Sequence, residues 1–246
     1  MKKISFLFIL VILSISFAQA LDIEPNRWVD FTGKLGNSDV QLSIYRFSNG
    51  TLKGNYCYKK FEKRIPLTGK ISGDLIELTE IVNGRVSGIF TGKVFTDDKD
   101  RFEGRWTNSD KTKSYNLKLT LSSIVAGSES HRYGSLATDS EVENFMKKTK
   151  DAILKNDHQW IISHIKYPIN VTLNHKRIAI KSQKQMSVNF NQIFHAEFKR
   201  KIKDACTCNM FTNYRGTMLG AGEIWIDDYD FKLKPKNLLL IKAIIN

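Results

Sequence analysis

Downstream of Phe17 the sequence has no apolar run approaching the roughly 20 residues a membrane-crossing helix needs, so no transmembrane span is expected there. Cysteine is scarce. Cys57, Cys206 and Cys208 allow one disulfide and leave one thiol over. Closure of Cys206 on Cys208 and pairing of Cys57 with either are all open. A C-x-C pair is not a zinc signature without two further ligands, so no metal is expected. Acidic residues are outnumbered, 25 against 38 basic ones, giving a net charge of +13. That excess favours anionic surfaces through long-range attraction. It is spread along the chain, which reads as a solubility feature first and an anionic-surface contact second. The full G-x-x-x-x-G-K-[ST] phosphate loop is missing. No Ser–His–Asp or Cys–His nucleophile arrangement is recognisable, and Cys206 and Cys208 lack an activating base. No cofactor is implied.

The N-terminus, by contrast, carries a clear pattern. Lys2 and Lys3 precede an apolar stretch from Ile4 to Phe17, and Ala18-Gln19-Ala20 forms an A-x-A cleavage site. This is the pattern of a secretory signal peptide cut after Ala20. The expected location is the bacterial periplasm or the exterior, with no lipid anchor because no Cys follows the cut. Nucleic acid is then an unexpected partner. An envelope protein or a small-molecule ligand is the expected one.

Residues 27–122 read as strand after strand. Apolar alternation recurs at Val40-Leu42-Ile44, Leu52-Gly54-Tyr56-Tyr58, Ile65-Leu67-Gly69-Ile71, Ile76-Leu78, Val86-Gly88-Phe90-Gly92-Val94, Phe102-Gly104-Trp106 and Tyr115-Leu117-Leu119-Leu121. Turn signals such as Ser48-Asn49-Gly50, Asn83-Gly84 and Asp97-Asp98-Lys99-Asp100 separate them. With Trp28 to Leu35 the count is about eight strands, an all-β meander or small barrel over residues 21–122. Glycines share the apolar parity with Phe31, Tyr56, Phe90 and Trp106, as a small barrel requires where rings need room. Thr-Gly-Lys recurs at residues 32–34, 68–70 and 91–93, but no helix follows, so it belongs to the strand pattern. Lys53, Asn55, Lys59, Glu103, Arg105, Asn116 and Lys118 occupy the polar parity and are expected to face water. Cys57 shares that parity and is expected to be accessible.

Residues 123–137 are small, polar and weakly patterned, and read as a linker. From residue 138 to 246 the period is mixed. Asp139 or Ser140 can cap a first helix running to about Asn156, with Glu141 and Glu143 in its first turn. A short helix over residues 159–165 stops before Pro168. A strand pair spans 169–173 and 177–181. Residues 187–204 read as one long amphipathic helix with Phe190, Ile193, Phe194, Phe198 and Ile202 inward and a basic C-terminal half. Strands over 210–215, 223–229 and 237–245 complete the chain. Gly220 and Gly222 lead into Glu223-Ile224-Trp225-Ile226, a strand-like run, so they are expected to make a hairpin turn and not an anion cradle.

The first helix ending Ile153-Leu154-Lys155-Asn156-Asp157, the segment Tyr167-Pro168-Ile169-Asn170-Val171, the Asn191-Gln192-Ile193-Phe194 helix and Phe211-x-Asn213-x-x-Gly216-x-Met218-x-Gly220-x-Gly222-x-Ile224-Trp225 resemble the nuclear transport factor 2-like family, in its exported bacterial branch. The resemblance implies an α+β C-terminal domain, a curved sheet wrapped by helices around a cone-shaped pocket. Tyr167, Tyr214, Glu223, Trp225 and Asp227 are the residues placed on that pocket. The family hosts both enzymes and binding modules, so the fold does not assign the function. Enzymatic members place an Asp–His pair, or a His with an acid, in the pocket. Glu223 and His158 are the candidates for a base in an isomerase- or dehydratase-type reading. His164 lies next to an apolar stripe, His195 neighbours Phe194 but with Lys199 and Arg200 reads as a solvated face, and Asp227-Asp228-Tyr229-Asp230 lacks metal-ligand spacing. The first reading is therefore a non-catalytic exported binding module, including an inhibitory or protective envelope role. A third reading attaches the basic helix 187–204 to a membrane surface.

Overall fold

The computed structural model describes residues 23–96, 99–228 and 239–246. The signal segment with its cleavage site, Leu21, Asp97 and Asp98 of one turn, Tyr229 and Asp230 of the acidic run, and Asn237 of the last expected strand lie outside the described residues.

Eight antiparallel strands close into a barrel: β1 (Trp28–Leu35), β2 (Ser38–Arg46), β3 (Thr51–Tyr58), β4 (Arg64–Ser72), β5 (Leu75–Val82), β6 (Arg85–Phe95), β7 (Arg101–Asn108) and β8 (Ser114–Val125). Each strand pairs with its successor, and β8 returns to β1 with Trp28 opposite Val125 and Leu35 opposite Leu117. Full closure removes the exposed sheet edges. Alternate residues point inward and are buried, among them Phe31, Leu42, Ile44, Leu67, Leu78, Phe90, Phe102 and Leu119. Each such side chain contributes about 1.5–3 kcal/mol on leaving water. At the β5–β6 turn Asn83 and Gly84 both take positive φ, 51° and 73°, the backbone of a tight hairpin. The inward glycines serve two purposes. At Gly88 a side chain would collide with the Trp106 indole, so the glycine makes room for a ring. At Gly92, opposite Gly104, it would strike the backbone of β7.

The C-terminal half departs from the expected cone. Its elements are α1 (Asp139–Lys155), α2 (His158–Ser163), β9 (Ile169–Leu173), β10 (Lys176–Ile180), α3 (Gln183–Ile193), α4 (Ala196–Asp204), β11 (Thr212–Asn213), β12 (Gly216–Leu219), β13 (Ile224–Asp228) and β14 (Leu239–Ile244). The strands form two separate sheets, β10-β9 and β11-β12-β13-β14, instead of one curved sheet. The expected long helix over 187–204 is two helices. His195 breaks it by leaving helical backbone (φ −69°, ψ 171°) and accepting the Phe198 amide with its ring to cap α4. The nuclear transport factor 2-like assignment and the fold class built on it are therefore corrected. The molecule is a closed β-barrel over residues 28–125 followed by short helices and small sheets. The single basic helix invoked for membrane attachment is likewise absent among the described residues. No described helix is long and apolar enough to cross a membrane.

Local signals explain the ends. Thr138, not Asp139 or Ser140, caps α1, and it forms a capping box with Glu141. Asp139 is instead used by the preceding segment, accepting from the Arg132 and Tyr133 amides. Asn156 ends α1 in the left-handed region at φ 58°. Gly220 and Gly222, at φ 68° and 107°, turn β12 into β13 with Leu219 opposite Ile224, so the glycine-rich stretch is a hairpin.

Candidate functional site

Strands β8, β1, β2 and β3 turn polar side chains outward, and the C-terminal half packs on that face. Asp30, Ser43, Asn55 and Cys57 are consequently buried, although their parity marks them as solvent-facing. Cys57 is corrected from accessible to fully buried, because residues about 150 positions later cover it.

Arg132 organises this junction. It lies in the segment expected to be a mere linker, yet it is 1% exposed. Its guanidinium donates to Asp30 Oδ2 at 2.5 Å, to Ser43 Oγ at 2.8 Å, and to the Asn209 and Met210 carbonyls at 3.2 Å. Burial, the largest single influence, works against the charge, but the Asp30 carboxylate together with Tyr133 and Glu143 outweighs it and holds the pKa above the ordinary value. Ser123 Oγ donates to the same Asp30 oxygen at 2.6 Å. Further braces run in parallel. Lys150 pairs with Glu62 at 2.7 Å, Arg64 pairs with Glu143, and Asn209 Nδ2 donates to Asn55 Oδ1 at 2.8 Å. Tyr133 donates to Glu143 at 2.5 Å, and burial followed by that carboxylate pushes its pKa up. Cys57 is joined to Cys208 by a disulfide, and Cys206 stays a thiol.

Between the braced surfaces lies a cleft of about 470 Å³. Thr32, Gln41, Ser122 and Ser123 line it from the barrel, and Asn209 and Phe211 from the C-terminal half. Met218 and Cys206 add soft apolar surface, and Lys59 and Asp204 set one charge of each sign on it. Gln41 donates to the Asn209 carbonyl at 3.0 Å, which fixes both walls. Asn209 Oδ1 and Asp30 Oδ1 are buried without a hydrogen-bond partner among the described residues. Buried polar atoms are nearly always paired, so two orphaned acceptors in one junction are unusual.

The sequence-predicted pocket residues do not gather here. Tyr214 is 86% exposed at the β11–β12 turn. It and Asp227 border a pocket of only about 170 Å³. Asp227 is taken by Lys242 at 2.7 Å. Glu223 accepts the Ala221 amide at 2.7 Å and serves the turn. Trp225 sits opposite Met218 in the β12–β13 pair. Tyr167 donates to the Ile162 carbonyl at 3.1 Å, and burial pushes its pKa up to about 12. His158 stacks on Phe190 with ring centroids 3.7 Å apart. Glu223 and His158 thus have separate structural duties. His164 stacks on Trp160 with centroids 4.1 Å apart.

Two other features rank lower. A cleft of about 590 Å³ is lined by His175, His195 and Lys201, and one ring nitrogen of His195, Nδ1, is used to cap α4. Inside the barrel Glu80 is buried and accepts from Tyr56, Ser87 and Trp106, so the barrel's own donors use its carboxylate.

No protein-family model and no curated protein matches the chain. Among solved structures it is similar to the rhizavidin–biotin complex. The identity is 14%, over 44% of this chain and 97% of that one, with a TM-score of 0.29. Similarity at that level decides nothing about this chain, and the barrel stands on its own strand pairing. The family resemblance read from the C-terminal motifs gains no support from these comparisons.

The pattern read from the sequence passes over Glu80, although an acid on the inward parity of Ile76 and Leu78 is the signal that marks it. Asp30, Arg132 and Asn209 carried no periodic signal, because each is buried by a part of the chain remote in sequence.

Proposed function

We propose that the chain is an exported, non-catalytic binding module whose ligand sits in the cleft between the barrel and the C-terminal half. The signal-peptide pattern supports export to a bacterial envelope or beyond. The observation that carries the reading is the lining itself: hydroxyl and amide side chains on walls held by a buried ionic network. Its volume lies within the range of small-ligand sites, which favour junctions between structural units. Hydroxyls and primary amides both donate and accept. Phe211 supplies a ring face, and Lys59 and Asp204 cancel in charge. That chemistry fits a small neutral polyhydroxylated ligand, a saccharide of one or two rings.

The rival reading, a pocket enzyme using Glu223 or His158, lacks a convergent pair, since each residue is engaged elsewhere. Calorimetric titration with a panel of neutral mono- and disaccharides tests the proposal. Binding is expected in the wild type and in Glu223→Gln, and is lost in Thr32→Trp, which fills the cleft from the barrel wall. Absence of binding across the panel, or equal binding by Thr32→Trp, contradicts it.

A further inference from the structure

The three cysteines, 149 and 151 residues apart across the two halves, converge. Their Sγ atoms all lie within 4.8 Å of one another, and Cys206 Sγ is 3.8 Å from Cys57 Sγ. A metal–thiolate bond of about 2.3 Å in tetrahedral geometry sets sulfur–sulfur edges of about 3.8 Å. Cys57 comes from the outward face of β3, and the C-x-C pair from the extended segment after α4. We propose that, once the Cys57–Cys208 bond is reduced, Cys57, Cys206 and Cys208 form a three-thiolate site for a zinc-type divalent ion, with the fourth position turned to the cleft.

Several observations support this assignment. Cys57 supplies one of the two ligands that the C-x-C pair lacks in sequence, and the fourth position is open to an exogenous ligand from the cleft. Cys206 lines the cleft, so the site has a path to solvent. Three thiolates and a divalent ion leave one net negative charge, and Lys59 lines the same cleft as Cys206. The cluster also does not depend on the disulfide for its proximity. Arg132–Asp30, Lys150–Glu62 and Arg64–Glu143 hold the same surfaces together. The chemistry balances with a dithiol reductant. It delivers two electrons and two protons to the Cys57–Cys208 bond and becomes a disulfide itself. Metal binding then releases one proton from each of the three thiols. Oxidised and metal-bound forms are thus alternatives on the same sulfurs.

The test uses the full chain, reduced with a dithiol, desalted without oxygen and titrated with Co(II) alone. One Co(II) per chain is expected, with a thiolate-to-cobalt charge-transfer band and the visible bands of tetrahedral coordination, both erased by Zn(II). Zn(II) should also protect all three cysteines from iodoacetamide, read by mass spectrometry. The oxidised chain should give no band, and reduced Cys206→Ser should lose it. Far-UV circular dichroism of the reduced chain should keep the native spectrum. No band in the reduced wild type, an undiminished band in Cys206→Ser, or unfolding on reduction alone overturns the proposal.

Discussion

The barrel and the C-terminal half obtain their stability in different ways. Every barrel strand pairs with its neighbour in sequence, and the interior is a mainly apolar set supplied by those strands and by Ile23 just before them, with Glu80 buried among them. The C-terminal half is built from short helices and two small sheets, one strand of which has only two residues. Its loops and α1 satisfy buried polar groups at the junction: Asn209 on Asn55, Lys150 on Glu62, and the Asn209 and Met210 carbonyls on Arg132, which in turn pairs with Asp30 of the barrel. The face the barrel offers carries polar groups such as Asp30, Ser43 and Asn55 beside an apolar patch of Trp28, Tyr45 and Val125 that packs with Phe211. The lesson is an asymmetry of pairing: each part has its own apolar core, but the barrel closes on itself strand by strand, whereas the C-terminal half joins separate helices and sheets and sends its loops onto the barrel.

Separation of the two parts should give the largest effect. A chain of residues 23–125 is expected to keep a β-type circular dichroism spectrum and a cooperative thermal transition, whereas residues 126–246 alone, with a core of their own but without the barrel face their loops pack on, should melt at a lower temperature. Equal behaviour of the two fragments would break the comparison. Next is Arg132→Met. Leaving Asp30 buried and unpaired should cost about 3–5 kcal/mol in denaturant unfolding, and adding Asp30→Leu should restore much of it. A loss below about 1 kcal/mol would show that the buried pair is not what holds the halves. Cys208→Ser should cost about 2–4 kcal/mol, because the disulfide closes a very long loop. Thr138→Ala removes one helix cap within the C-terminal half and should cost about 1 kcal/mol.

The smallest effect concerns Cys206. Burial, the largest influence, pushes its thiol from the ordinary 9.0 up to about 11. Because the folded value is the raised one, its contribution to stability is complete below pH 9 and is lost as pH rises towards 11. Alkylation of Cys206 in the native, oxidised chain should therefore lag that of an exposed thiol until the pH approaches 11. A rate matching an exposed thiol at neutral pH would contradict the burial.

The asymmetry also explains what the sequence revealed. Barrel strands were legible because alternation and turns such as Asn83-Gly84 act between neighbours. The break between α3 and α4 was not, because Phe190, Ile193, Phe194, Phe198 and Ile202 keep a helical apolar spacing straight through it and all are buried. Thr138 with Glu141 was a readable capping box, overshadowed by the better cap-forming residues after it. The cleft was illegible for a deeper reason. Cys57, Asn55 and Asp30 look solvent-facing within their strands, and only remote residues bury them. The short C-terminal motifs described turns and helix ends, not the sheet that joins them. A likeness in such pieces therefore did not extend to the fold.

The most direct test of the central claim, that the junction of the halves is the binding site, is a backbone-amide NMR titration with the best neutral saccharide from the panel. Shift changes should cluster on Thr32, Gln41, Ser122, Ser123, Asn209 and Phe211. Changes confined to the barrel end around Trp106 and Tyr115, or to the turn around Tyr214 and Glu223, would contradict the account.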